Sequence, residues 1–169
     1  MKTAKRYPFL TILQSRFLLN LANHSSFAQL PDEKQFRLWA WQAIKQHHRR
    51  ADISLVLLDE ADARRYNRDY RGKDYATNVL SFEAAEQEWL TPANRSNSDT
   101  LYGDLIICPQ VVAREAEEQG KPLAAHFAHL TIHGVLHLMG YDHIDAAEAE
   151  AMEALEIRLL NQLGYPNPY

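Results

Sequence analysis

The chain has 169 residues, of which 46% are hydrophobic and 24% are charged, and these values are ordinary for one globular domain with its own core. Its formal net charge of −4 excludes a protein that coats nucleic acid through an overall basic surface. A single cysteine excludes a disulfide framework, and no apolar run reaches the ~20 residues of a membrane span, so we expect a cytoplasmic protein.

The first 15 residues carry a short basic and apolar segment. Lys2, Lys5 and Arg6 precede an apolar run at 9–13, an order that imitates a secretory signal. Polar residues at 14–16 interrupt this run before it reaches the usual length. We therefore expect residues 1–15 to be a disordered N-terminal extension and residues 16–169 to form a single domain.

Short apolar runs and helical stripes alternate along the rest of the chain. Short apolar runs predict strands at 17–22, 53–58, 78–82 and 103–107. Turn residues and apolar stripes predict helices at about 31–47, 59–66, 109–118, 121–138 and 145–163. Residues 84–100 lack apolar periodicity and are predicted to be a mobile loop. This order predicts a single α+β domain in which helices pack on a mixed sheet of about four strands.

The last of these helices combines an apolar stripe with many acidic residues. Met152, Leu155, Leu159 and Leu163 recur at helical spacing and predict its buried side. The acidic residues are assigned to the solvated side of the helix: Asp145, Glu148, Glu150, Glu153 and Glu156.

A histidine-rich stretch at 133–143 carries the strongest chemical signal. His133 and His137 are four residues apart, so on a helix their rings reach the same point. Gly140 can end the helix, and the chain can then bring His143 back toward the first two rings. Three imidazoles with one open position, occupied by water, are the ligands of a catalytic zinc ion.

An alternative set of three histidines lies along the helix itself. His129, His133 and His137 fall on one stripe, but the outer two would be ~12 Å apart along the axis at ~1.5 Å per residue. Zinc–nitrogen bonds of ~2 Å cannot span that distance. The spacing therefore favours His143 as the third ligand.

The same spacing is the zinc frame of the metzincin proteases, with one departure. Those proteases need Glu directly after the first histidine as general base, and this chain has Gly134 there. A peptidase built on this frame would lack its proton acceptor.

The segment HGVLHLMGYDH resembles the signature of the YbeY endoribonucleases, zinc-dependent rRNA maturation factors of bacteria. Two further segments, YRGKDYATNVLSF and YGDLIIC, match the family, and the resemblance extends from about Phe17 to the end of the sequence. It implies that His133, His137 and His143 hold one Zn²⁺. It also implies a single-strand-specific endoribonuclease that matures the 16S rRNA 3′ end and serves ribosome quality control. The implied partners are RNA and the ribosome or its small subunit, with neither membrane nor DNA.

A basic segment supplies candidates for phosphate binding. Arg64 and Arg65 are most simply a solvated helix face that offsets nearby acids. Arg71 and Lys73 are predicted to lie in a loop, which more often carries function, and the resemblance implies that Arg71 matters for activity. We expect Arg71 to clamp a phosphate, with Lys73 and Arg68 as further substrate contacts.

Three other residues near the histidines have less definite roles. Asp142 is a candidate catalytic residue that either orients a ligand histidine or acts as the missing base. His126 and His129 match the family pattern and are interpreted as support for the ligands or as core residues.

Two other functions stay open on the sequence alone. One is a metal-dependent hydrolase of peptides, which Gly134 disfavours. The other is a non-enzymatic ribosome assembly factor in which zinc is structural, and a fourth protein ligand in place of water would favour it.

Overall fold

The computed structural model describes residues 16–83 and 100–169. The predicted extension at 1–15 and nearly all of the predicted loop at 84–100 lie outside these residues. The described strands are β1 (Arg16–Asn23), β2 (Arg50–Leu57), β3 (Val79–Glu83) and β4 (Thr100–Ile107). The described helices are α1 (Glu33–Ile44), α2 (Glu60–Arg71), α3 (Pro109–Glu118), α4 (Leu123–Leu138) and α5 (Ala146–Gln162).

The four strands form one mixed sheet in the order β1-β2-β4-β3. β2 pairs in parallel with β1 and β4, whereas β3 runs antiparallel to β4 at the edge. The α+β prediction with a four-stranded mixed sheet is confirmed. β1 and β2 are parallel neighbours, and the crossover connection that such a pair needs contains α1.

The central strand β2 is buried mainly on one face. Ala51, Ile53, Leu55 and Leu57 are buried, and the residues between them are half-buried. The continuous apolar run had predicted a strand covered on both faces. The alternation shows that one face of β2 is fully buried and the other only in part.

Helix α4 is the buried central helix, as its sequence predicts. Twelve of its 16 residues are buried, and Phe127 packs edge-on against Phe36 of α1 with ring centroids 5.9 Å apart. Because α4 carries the histidine motif at its C-terminal end, the core of the domain fixes the position of that motif.

Helix α2 extends further than the sequence predicts. Its last residue is Arg71, and Gly72 ends it with a φ of +69°, a conformation that glycine adopts without strain. Residues 67–71 have no apolar stripe that would have marked them as helical. The prediction that Arg71 lies in a loop is therefore wrong: it lies at the end of a helix, and the turn begins after it.

Within residues 16–83 and 100–169, no helix has the length and apolar character that crossing a bilayer requires.

Candidate metal site

The end of α4 brings the predicted ligands His133, His137 and His143 together. Gly140 has a φ of +88°, and its backbone N–H donates to the carbonyl of His137, while that of Tyr141 donates to Leu136. These two bonds form the Schellman motif that commonly closes a helix at glycine. The motif turns the chain sharply, so that His143 returns toward the helix.

The three rings converge on one point. The Nε2 atoms of His133 and His137 are 3.1 Å apart, and the ring centroid of His143 lies 5.7 Å and 5.0 Å from theirs. One ligand atom from each ring lies within 4.8 Å of the others. This spacing suits a single metal ion with bonds of ~2 Å.

A buried carboxylate supports the first of these histidines. Glu156 of α5 is 0% exposed, and its Oε1 lies 2.7 Å from Nδ1 of His133. The hydroxyl of Tyr169 donates to the other carboxylate oxygen. The prediction that Glu156 belongs to the solvated face of its helix is therefore wrong, because this residue lies on the buried side with Met152 and Leu159.

The charge state of Glu156 fixes the tautomer of His133. Burial would raise the pKa of Glu156, but His129, His133 and the Tyr169 hydroxyl outweigh burial and hold the pKa at about 2. The ionised carboxylate accepts the Nδ1 proton of His133, which leaves Nε2 with a free lone pair. That is the tautomer a metal ligand needs.

His137 is also suited to act as a neutral ligand. Its burial, together with the nearby His133 and His143 rings, lowers its pKa. A ligand imidazole must be unprotonated to bind a cation. Two Nε2 atoms facing each other at 3.1 Å are compatible only with a shared proton or a cation, so the donor set fits a metal ion.

A second group, formed by His129, His133 and Glu156, also satisfies the distance criterion for metal binding. Glu156 already accepts bonds from His133 and Tyr169, and Nε2 of His129 lies 3.5 Å from it. A carboxylate whose two oxygens already accept hydrogen bonds from a ligand histidine and a tyrosine is better suited to support a ligand than to be one. The group around His137 is the better metal site.

Asp142 contacts the third histidine. Its Oδ1 accepts the backbone N–H of His143 at 2.7 Å and lies 3.3 Å from the ring Nδ1. The sequence left two roles open for Asp142, orienting a ligand histidine or acting as the general base, and this contact fits the first.

Arg71 and Lys73 line a cavity beside the three histidines. The cavity has a volume of about 470 Å³ and also borders Tyr75, Asn78 and Asp142; we call it the Arg71 cavity. The Arg71 guanidinium is held by a hydrogen bond from its Nη2 to the Ser81 carbonyl at 3.0 Å. Its remaining donors are available to an anion near the metal ligands.

The other arginines of the basic segment lie elsewhere. Arg68 pairs with Asp69 at 3.0 Å and is not one of the residues that border the Arg71 cavity. Arg65 pairs with Asp62, and Arg64 makes a two-pronged pair with Asp74. These exposed pairs agree with the solvated-face interpretation of Arg64 and Arg65.

His126 and His129 are buried, at 4% and 8% exposure. Nε2 of His126 is 2.8 Å from a carboxylate oxygen of Glu115. Both carboxylate oxygens of Glu115 also accept from the side-chain amide of Asn78. Burial would raise the pKa of Glu115, but these hydrogen bonds outweigh it and lower the pKa. The network ties α3, α4 and the start of β3 together next to the metal site.

A second cavity also borders two of the histidines. It has a volume of about 390 Å³ and borders His133, His143, Glu115, Glu153, Lys121 and Tyr169; we call it the Tyr169 cavity. His133 and His143 border both cavities. The candidate metal site thus stands between two recesses of different composition.

The sequence reasoning missed Glu156 and Tyr169. Glu156 is four residues after Met152 and three before Leu159, so an acidic residue at a core position of the stripe was a usable signal. Tyr169 is separated from the helix by a Pro-containing segment, and nothing in the local sequence indicates its contact with Glu156.

Gly134 occupies the position where metzincins have their general base. A Cβ atom at this position would lie 2.9 Å from Leu105 Cδ2 and 3.2 Å from Val79 Cγ2. The position faces β3 and β4, and a larger side chain there would have to displace these contacts.

The sequence matches known proteins along its length. The family model described as Endoribonuclease YbeY matches residues 20–164. A protein of that name from Neisseria meningitidis serogroup C is 66% identical over all of this chain and 97% of its own length. A protein of the same name from Chromobacterium violaceum is 49% identical, again over all of this chain and 97% of the relative.

A solved structure supports the fold. The solution structure of TM1509 from Thermotoga maritima superposes with a TM-score of 0.56 at 20% identity, and covers 87% of this chain and 92% of that one. At this identity the likeness concerns the arrangement of helices and strands alone.

Proposed function

This chain belongs to the YbeY endoribonuclease family, and we propose that it is a zinc-dependent endoribonuclease that cuts single-stranded RNA beside His133, His137 and His143. The hydrolysis of a phosphodiester bond needs an activated nucleophile and positive charge near the phosphoryl oxygens. The histidine site and the Arg71 cavity together offer both.

The observation that carries this proposal is the position of Arg71 next to a three-imidazole site. Arg71 and the three histidines border the same cavity, so one phosphate group can reach both. Within the part of the chain that the structure describes, the group around His137 contains three side chains that can bind a metal ion, and all three are histidines. Three protein ligands leave a position for water or substrate, as in catalytic zinc sites.

In the proposed mechanism, a zinc ion held by the three imidazoles would lower the pKa of a water molecule and neutralise charge on the phosphoryl oxygens. Arg71 binds two phosphate oxygens through its planar guanidinium, and the Ser81 carbonyl keeps that group in place. Lys73 contributes a second positive charge in the same cavity.

Two carboxylates hold the ligands in position. Glu156 keeps the proton of His133 on Nδ1, and Asp142 orients His143 through its backbone and ring nitrogens. Such partners commonly contribute 10- to 100-fold in metal affinity or activity.

We further propose that the substrate is ribosomal RNA, at the 3′ end of 16S rRNA, and that the protein acts on the ribosome or its small subunit in the cytoplasm. Support comes from the name of the relatives and from the sequence motifs shared with the family. Mapping of the rRNA 3′ end by adaptor ligation and sequencing, on small subunits carrying unprocessed rRNA with and without purified protein, tests this part separately.

The main test compares RNA cleavage by the zinc-loaded protein and by its variants. We expect cleavage of a single-stranded oligoribonucleotide, little cleavage of the same sequence in a duplex, and no cleavage after EDTA treatment. Arg71→Ala should reduce kcat/KM by about 10- to 100-fold, as expected for loss of a hydrogen bond to a charged group. Its zinc content should stay at the wild-type level.

Arg65→Ala is the matched control, because Arg65 lies on the same helix but pairs with Asp62 at the surface. It should cleave at the wild-type rate. Normal cleavage by a His133→Ala protein that metal analysis shows to be zinc-free would contradict the proposal.

A further inference from the structure

Tyr169 presents an exposed aromatic ring that is nevertheless fixed in place. The residue is 59% exposed, yet its hydroxyl donates to the fully buried Glu156. The carbonyl of the preceding Pro168 accepts from Lys121 Nζ, and the ring lies edge-on to His129 with centroids 5.4 Å apart. An exposed ring held at its hydroxyl and its edge, on a backbone that is itself anchored, loses little entropy when a flat ligand packs on it.

The walls of the Tyr169 cavity favour a flat, uncharged group over a phosphate. Leu130, Met152 and Pro168 contribute apolar surface. Three carboxylates also border the cavity, from Glu115, Glu153 and Glu156, and they would repel an anion. Lys121 is engaged with a backbone carbonyl. The Arg71 cavity also borders two carboxylates, Glu83 and Asp142, but it offers both Arg71 and Lys73 to an anion.

The two cavities meet at the candidate metal site. His133, His143 and Asn78 border both of them. A strand whose phosphate lies at Arg71 and the histidines can therefore place its next nucleotide in the Tyr169 cavity. The volume of about 390 Å³ lies within the ~300–1,000 Å³ typical of small-molecule sites.

We propose that the Tyr169 cavity is a nucleobase subsite, in which a base next to the cleaved phosphate stacks on the ring of Tyr169. This inference rests on the proposed function. It gives a physical reason for single-strand specificity, because a base must leave the helical stack before it can pack against an aromatic side chain.

The first test measures RNA affinity in variants of Tyr169. The probe is a fluorescein-labelled 2′-O-methyl oligoribonucleotide, read by anisotropy on zinc-loaded protein and checked by gel to stay intact. Tyr169→Leu should raise Kd by about tenfold or more, the usual loss when one stacking side chain is removed. Tyr169→Phe keeps the ring and loses the Glu156 contact, and its Kd should stay within about threefold of wild type.

Tyr70→Leu is the matched control. Tyr70 is 66% exposed and borders neither cavity, so its Kd should not change. Zinc content and melting temperature are measured on every variant. A Phe variant as weak as the Leu variant, with full zinc content, would mean that Tyr169 acts only through Glu156 and would overturn the proposal.

The second test locates the base. An abasic nucleotide is placed in turn on each side of the mapped cleavage site. At one position it should raise Kd for the wild type by about tenfold, and it should add nothing to the loss already caused by Tyr169→Leu. If the abasic nucleotide and Tyr169→Leu raise Kd by independent factors at every position tested, the subsite is contradicted.

A variant-independent measurement accompanies both tests. 2-Aminopurine at the same position should lose fluorescence on binding wild-type protein, because stacking quenches it; unchanged fluorescence at every position overturns the proposal. Quenching without cleavage would contradict the proposed function alone. Cleavage that occurs without fluorescence quenching, and with independent effects of the abasic nucleotide and Tyr169→Leu, would contradict the subsite alone.

Discussion

Glu156 is a carboxylate without solvent contact that lies against a candidate metal ligand. Burial of an isolated charge is expensive, and it is tolerated here because His133 and the Tyr169 hydroxyl both donate to it. The residue therefore connects α5 and the end of the sequence to the ring of His133. We expect its main effect to be on metal affinity, through the orientation and tautomer of that ring.

Glu156→Gln tests this role at nearly constant shape. The neutral amide holds the Nδ1 proton of His133 less strongly, and we expect the Kd for Zn²⁺ to rise by about 10- to 100-fold. Competition with a chromophoric chelator measures the affinity. Glu150→Gln, at an exposed position of the same helix, is the control and should bind zinc as the wild type does. Equal zinc affinity in the two variants would contradict the proposed support of His133 by Glu156.

The contact between α4 and the sheet decides where the metal ligands stand. At Gly134 the helix approaches β3 and β4 closely enough that its carbonyl accepts from the Ser81 hydroxyl at 3.1 Å. A Cβ would also meet the fully buried Leu105 at 2.9 Å. The absence of a side chain at 134 is thus a packing requirement of the element that carries His133 and His137.

Gly134→Ala should lower the free energy of unfolding by about 1 kcal/mol. Overpacking costs about 1–3 kcal/mol, and the better helix propensity of Ala returns about 1 kcal/mol. Urea unfolding measures the change. Ala151→Gly, at an exposed position inside α5, reports the propensity difference alone. An increase in the free energy of unfolding for Gly134→Ala would contradict the close packing of α4 on the sheet at this position.

Asp59 joins three parts of the fold before α2 begins. Its Oδ1 accepts from the Ser25 hydroxyl, the Ser26 backbone N–H and the Gln110 amide. The hydrogen bonds from Ser25 and Gln110 are the largest causes of a pKa well below the usual 3.8. The link holds the segment after β1 against the start of α3.

Asp59→Asn should change the dependence of stability on pH. Because the folded-state pKa is depressed, the contribution of Asp59 is fully present above pH 3.8 and is lost as the pH falls through the folded-state pKa. The wild type should be more stable than the variant at neutral pH, and the two unfolding free energies should converge on acidification. Asp62→Asn, at a half-exposed position on the first turn of α2, is the control; an Asp59→Asn difference as large at pH 2 as at neutral pH would contradict the assignment.

At the scale of the whole molecule, an RNA enzyme with a net charge of −4 must bind phosphate locally. In the described residues, two cationic side chains, Arg71 and Lys73, border the cavity that contains all three histidines, whereas Lys121 of the other cavity is engaged with a backbone carbonyl. Arg64, Arg65 and Arg68 are paired with acids. A protein of this kind makes few phosphate contacts and depends on stacking for the rest of its affinity.

The affinity for single-stranded RNA should therefore depend weakly on salt. With two phosphate contacts, the slope of log K against log salt concentration should be about −1.4, and Arg71→Ala should reduce it to about −0.7. Anisotropy titrations between about 50 and 200 mM KCl measure it. Arg65→Ala should leave the slope unchanged. A slope of about −4 or steeper would indicate a more extended basic surface than the two cavities provide.

The sequence by itself determined the elements and the candidate ligands. Apolar runs, Pro109 at a helix start and Gly140 at a helix end are local signals, and each acts within a few residues of its own position. His133 and His137 share a face because of the 3.6-residue period, and the Gly140 turn makes His143 their neighbour. The family motifs pointed to the same three residues.

Only the tertiary structure decided which groups support that site and what surrounds it. Glu156 meets His133 across 23 residues of sequence, and Tyr169 meets Glu156 from beyond the helix end. Arg71 is at the site because α2 runs one turn further than its polar sequence shows, and β3 brings Ser81 to its guanidinium. Such contacts depend on how helices pack on a sheet, and local sequence periodicity contains no information about the partner across that interface.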